Sequence, residues 1–146
     1  MFSSSFSRLL GIVIGVIVLF ALASIRPLLR YSNDLTRGDT LTQKGDYQAA
    51  FHAYGDAIRR SPNDPVAYFK RAIAMSKAMG YSKAQIDLND VIRLVPKYGP
   101  AYRLRAIAER AQGLEKKAME DDAVADKLGA PTDLDGIYLS SPATMK

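Results

Sequence analysis

The residues from Pro65 to Pro96 hold two helical patterns split by Met79-Gly80. Their landmarks are Tyr68, Ala72, Met75, Tyr81, Ala84, Leu88, Val91 and Pro96. Moving the frame back by 34 residues returns Gly38, Leu41, Tyr47, Ala50, Tyr54, Ala57 and Pro62. Moving it forward by the same step returns Tyr102, Ala106, Ala118 and Ala125, with Pro131 one place late. A fixed period of this length, made of two short helices, predicts an all-α helix–turn–helix array. One such unit cannot bury its own apolar face, so successive units must stack.

The recurring residue types fit that packing. Two antiparallel helices approach closely where small side chains line the contact, here Ala50, Ala57, Ala72, Ala84 and Ala106. Larger groups such as Tyr54, Leu88, Tyr68 and Met75 fill the space between pairs. Gly45 permits a left-handed turn residue, and Pro62 and Pro96 stop the second helix of their units. Helices are expected near residues 33–44, 47–60, 65–78, 81–94, 100–112 and 115–128.

These positions, with the Gly45-Asp46-Tyr47 turn and the Pro62-Asn63-Asp64-Pro65 connector, resemble the tetratricopeptide repeat family. The resemblance covers about residues 31–131. It implies a three-unit solenoid with units at 31–64, 65–98 and 99–131. Asp34 replaces the family's aromatic residue in the first unit. Glu109 and Asp122 stand where the second unit has Met75 and Leu88. Both departures suit terminal units, so the array is expected to end after the third.

Leu9–Ile25 is a run of seventeen residues without a charge. As a helix it would be about 26 Å long, against a bilayer core of about 30 Å. A single membrane-spanning helix at 9–26 is expected, after a tail at 1–8 and before a linker at 27–30, with Arg26-Pro27 ending or kinking the rod. A single-pass protein of a plasma or bacterial-type inner membrane follows. The alternative is a secretory signal cleaved at Ala21-Leu22-Ala23. Flanking charges do not choose a side: Arg26, Arg30 and Arg37 follow the run, while Arg8 precedes it. Beyond Gly129 the text turns irregular, and a tail at 130–146 is expected. Its Leu134, Ile137, Tyr138 and Leu139 are candidates to lie against the exposed side of the third unit or in the groove.

Composition excludes several kinds of chemistry. No cysteine is present, which removes disulfides, thiolate nucleophiles and cysteine-bound zinc. The one histidine, His52, falls on an outward position. Glu120, Asp121, Asp122 and Asp126 lack the alternation and glycine of a calcium loop. No glycine-rich phosphate loop or nucleophile motif occurs. A non-enzyme without cofactor or metal is expected. Of 20 basic residues, three lie in the first 30, which hold no acid. The remaining 17 face 15 acids, too even a balance to point to nucleic acid.

The resemblance implies a partner-binding groove on the concave side, lined by the first helix of each unit. Its positions here are Leu35, Asp39, Gln43, Phe69, Lys70, Ile73, Lys77, Arg103, Ile107 and Arg110. An apolar strip flanked by cations suits a peptide with hydrophobic anchors and acidic residues or a terminal carboxylate. Chaperone-binding members of the family use paired Lys and Asn as a carboxylate clamp. Asp39 and Ile73 stand at two of its Asn positions, so the clamp does not carry over. A membrane-anchored interaction module, or scaffold, is the expected function. The alternatives are a self-associating structural repeat, which would be a homo-oligomer, and an RNA-binding helical repeat. Arg37, Arg71 and Arg105 hold one register position in successive units and are read as ion-pairing residues.

Overall fold

The computed structural model describes residues 4–133 and Ile137, with side chains from Leu10 onward apart from that of residue 27. Among the described residues six helices follow one another: α1 (Ser4–Gln43), α2 (Tyr47–Arg60), α3 (Pro65–Lys77), α4 (Tyr81–Leu94), α5 (Gly99–Ala111) and α6 (Glu115–Lys127). Each packs against the helix before and after it, and α1 meets α3 as α3 meets α5. The first helices of the units therefore share one side of the array.

The caps explain why the helices begin and end where they do. The Asp46 carboxylate accepts from the Ala49 amide and starts α2. The Asp64 carboxylate accepts from the Val66 amide, with Pro65 at the first helical position of α3. The turns inside the units place Gly45 at φ +79° and Gly113 at φ +76°. The equivalent residue of the middle unit is Met79, at φ +57°. A side chain in this left-handed region costs about 1–2 kcal/mol, and Met79 is largely exposed, so packing returns little. Met79→Gly is expected to raise the unfolding free energy by about 1 kcal/mol. An unchanged or lower thermal midpoint would contradict this.

One continuous core joins Tyr68, Phe69, Ala72, Met75, Leu88, Val91, Tyr98, Ala101 and Leu104. A smaller cluster of Ala50, Tyr54 and Ala74 takes Leu35, Leu41 and Tyr47 at its margin. Ile137 is fully buried in the main core, and its amide donates to the Asp133 carbonyl at 3.2 Å. Leu134, Tyr138 and Leu139 lie outside the described residues.

The N-terminal half differs from the expectation in two ways. Residues 4–8 are helical, not a tail, and the helix runs unbroken through residues 27–30 into the first repeat. The helix is 40 residues long, so no linker separates the apolar run from the array. Proline removes one amide donor, which costs a single rung of the helix. Uninterrupted helical sequence on both sides outweighs that loss. An apolar window of mean hydropathy 2.5 lies on this helix, and none of it is buried against the rest of the chain.

Candidate functional site

Asp39 organises the concave face. Its carboxylate accepts from the Tyr54 hydroxyl at 2.8 Å and from the Lys70 ammonium at 2.8 and 3.0 Å. Three helices meet in this group, since Asp39 lies on α1, Tyr54 on α2 and Lys70 on α3. Tyr54 is 1% exposed. Burial raises its hydroxyl pKa well above the usual value; Thr42 opposes the shift and the Asp39 charge adds to it. The tyrosine therefore stays a neutral donor. Thr42 sits 3.3 Å from the same hydroxyl and donates its own proton to the Gly38 carbonyl.

Around this network lies a pocket of about 340 Å³ lined by Asp39, Thr42, Gln43, Tyr54, Lys70, Ile73 and Lys77. Five of the ten sequence-expected positions thus converge: Asp39, Gln43, Lys70, Ile73 and Lys77. Ile73 is buried at the pocket wall, while Gln43 and Lys77 are exposed at the rim. The charge of Lys70 is matched by Asp39, and the Lys77 ammonium lies exposed at the rim. The pocket offers an apolar wall, an amide and an ammonium group. It has no nucleophile–base pair.

The other positions do not join it. Phe69 is 1% exposed, and its ring meets Tyr98 edge-on with centroids 5.1 Å apart. It is a core residue and has no surface to present to a ligand. Leu35 and Ile107 are half-buried and pack against the two clusters. Arg103 is 8% exposed and committed to Asp122, Asp126 and the Pro131 carbonyl. Arg110 remains exposed but pairs with Asp122 at 2.7 Å and Glu115 at 3.2 Å. Burial favours the protonated form of Asp122, yet hydrogen bonds from Arg110 and Arg103 outweigh it and hold the carboxyl below its usual range. No further unit follows α6 among the described residues, and the polar residues there draw the α5 arginines away from the pocket.

Ion pairing also explains the arginine ladder. Arg71 donates to Asp87 through Nε at 2.8 Å and Nη2 at 2.7 Å. Arg105 makes the same two-pronged contact with Asp121, at 2.6 and 2.8 Å. Each also reaches the preceding unit: Arg71 lies 4.8 Å over the Phe51 ring, and Arg105 donates to Asn89 at 2.7 Å. Arg37 is exposed, because Ala53 holds the place of the acid in the first unit. The sequence signal for these pairs is an acid sixteen residues after the arginine, in two units of three.

Glu109 corrects the picture of a wholly polar outer unit. It is buried, accepts from Gln85 at 2.9 Å through one oxygen, and keeps the other without a partner among the described residues. Burial and the nearby Asp121 raise its carboxyl pKa. A larger hollow of about 570 Å³ lies between the Gly45–Gln48 and Ala78–Lys83 turns. Its walls are the two turns, the first residues of α2 and α4, and Met75 of α3.

Three stacked antiparallel helix pairs with this period and these turns define a tetratricopeptide-type helical solenoid. No family model matches the chain. Curated relatives include the small glutamine-rich tetratricopeptide repeat-containing protein 2 of Mycosarcoma maydis, 34% identical over 94 residues. The match spans 60% of this chain and 27% of that relative. The stress-induced-phosphoprotein 1 of Caenorhabditis elegans is 33% identical over 81 residues, 56% of this chain and 25% of its own length. The chain thus spans about a quarter of these relatives. Among solved structures, the TPR2B domain of yeast Sti1 in its complex with pHsp70 superposes with a TM-score of 0.67 at 27% identity, covering 75% of this chain and 94% of that one. MamA, at 21% identity and a TM-score of 0.65, covers 68% of this chain and 58% of its own and shares the fold. Sequence relatives and fold neighbours together strongly support the tetratricopeptide-repeat assignment.

Proposed function

We propose that this chain is a membrane-anchored interaction module that holds a partner peptide in the concave pocket between α1 and α3. The observation that carries the reading is the convergence of Asp39, Gln43, Lys70, Ile73 and Lys77 on one pocket with a fixed internal network. The yeast Sti1 domain, a fold neighbour, was solved in complex with pHsp70, which supports a protein partner for a domain of this shape. The chemistry here differs from a carboxylate clamp, because Asp39 already compensates Lys70. A fitting segment places an apolar side chain against Ile73 and an acidic group near Lys77. Its main-chain groups meet Gln43.

The anchor in this reading is the apolar half of α1. Burying the seventeen-residue run Leu9–Ile25 in lipid satisfies both the side chains and the helical backbone. The same segment in water would be a large exposed apolar surface. Retention in a single-pass membrane protein is proposed over cleavage near Ala23.

The test changes only exposed rim residues. Gln43→Ala/Lys77→Glu is expected to keep the wild-type melting curve. In-cell crosslinking with mass spectrometry should show one wild-type partner reduced at least about tenfold, the loss of roughly 1.4 kcal/mol of contact energy. An identical partner list from both proteins would contradict the pocket assignment.

A further inference from the structure

The edge of the array nearest the apolar half of α1 carries a repeated set of cations. Two contacts fix which edge this is. The Tyr31 hydroxyl donates to Asp64 at 2.8 Å, and Arg60 donates to Asp34 at 2.6 Å. The connection between α2 and α3 therefore lies beside residues 31–34 of α1. Because α1 is continuous, Tyr31 stands only six residues beyond Ile25, or about 9 Å along the helix axis. Alternation of helix direction puts the α4–α5 connection and the end of α6 on this same edge.

Each second helix ends on this edge with a basic residue in its last turn: Arg59 and Arg60 in α2, Arg93 in α4 and Lys127 in α6. Arg59, Arg93 and Lys127 repeat at the 34-residue period. A cation there also offsets the helix dipole, which accounts for one charge per helix and not for its neighbours. Lys97 in the α4–α5 connection and Arg26 and Arg30 on α1 are exposed as well. Several acids of this edge are engaged: Asp34 by Arg60, Asp64 by Tyr31 and the Val66 amide, Asp56 by Arg59 and Asp90 by Arg93. The last two are exposed pairs three residues apart, which water and competing anions open easily.

We propose that this edge docks on anionic lipid headgroups and holds the array against the bilayer surface. The inference rests on the anchor proposed above. A headgroup layer extends roughly 5–7 Å beyond the hydrocarbon. Arginine and lysine side chains bridge the remaining distance, and guanidinium groups match phosphate oxygens with paired donors. Without a linker, the span keeps the edge within reach of the headgroups, and the cations decide whether it docks. The concave pocket, lined by the last turns of α1 and α3, then sits about 21–27 Å beyond Ile25 along α1, clear of the headgroups.

The native chain has no cysteine, so Asn63→Cys gives one labelling site on the α2–α3 connection. The full chain carrying a donor dye there is reconstituted into vesicles with an acceptor-labelled lipid. Matrices of phosphatidylcholine alone and of phosphatidylcholine with phosphatidylglycerol are compared. Energy transfer is expected to be about twofold higher with phosphatidylglycerol and to fall as salt is raised. Arg59→Gln/Arg93→Gln/Lys127→Gln, with an unchanged melting curve, should abolish the difference. Equal transfer in the two matrices, or a difference that survives the triple substitution, overturns the docking edge and leaves the anchor standing. Failure to float with either vesicle overturns the anchor and the docking edge together.

Discussion

Phe69→Ala is expected to lower the unfolding free energy by about 3–5 kcal/mol. The ring is 1% exposed, lies edge-on to Tyr98 and sits in the core shared by the second and third units. Truncation removes the apolar contact, deletes the aromatic pair and leaves a cavity between helices that are tied at both ends. Domains of this size have roughly 5–15 kcal/mol in total, so the variant should approach the folding threshold. Denaturant titration of the array decides the matter. A loss below about 1 kcal/mol would mean that the ring lies on the surface and belongs to the groove after all.

Asp87→Ala should cost about 3 kcal/mol, by a different route. Asp87 is 2% exposed, and the substitution leaves the Arg71 guanidinium half-enclosed between units without its counter-charge. The decisive comparison is with Arg71→Met/Asp87→Leu, which removes both charges and keeps the volume. That double variant should lie within about 1 kcal/mol of wild type, because a buried pair returns little beyond its own desolvation cost. If the double variant loses as much as the single one, the pair contributes net stability and the balance stated here is wrong. The guanidinium also covers Phe51. Some packing is therefore lost in either variant, and only the difference between the two reports the charge.

The period exposed most of the architecture before any coordinates were at hand. Helices expected at 47–60 and 81–94 coincide with α2 and α4, since Pro62 and Pro96 close them and a left-handed turn residue, Gly45 or Met79, precedes them. Pro27 does not end the helix, for the opposite reason: one missing amide within a long helix is a local cost that flanking turns outweigh. Register along α1 and α3 was enough to place Asp39, Gln43, Lys70, Ile73 and Lys77 around one pocket. It could not reveal that Tyr54, fifteen residues after Asp39, donates into the same carboxylate. Phe69 and Arg103 were misplaced because repeat position alone does not say which face a neighbour covers. Phe69 is sealed by Tyr98, in the connection that leads to the next unit. Arg103 is turned aside by Asp122 and Asp126, at positions where an inner unit would place apolar residues.

Site-specific photocrosslinking tests the pocket most directly. A photoreactive residue replaces either Lys77, at the pocket rim, or Ile86, on the exposed face of α4. Both variants of the full chain are irradiated in intact cells, and adducts are identified by peptide mapping. The pocket assignment predicts one discrete adduct from position 77, to an acidic segment with an apolar anchor, that is absent from position 86. The same adduct from both positions, or adducts from position 86 alone, would contradict it and place the partner on the outer surface.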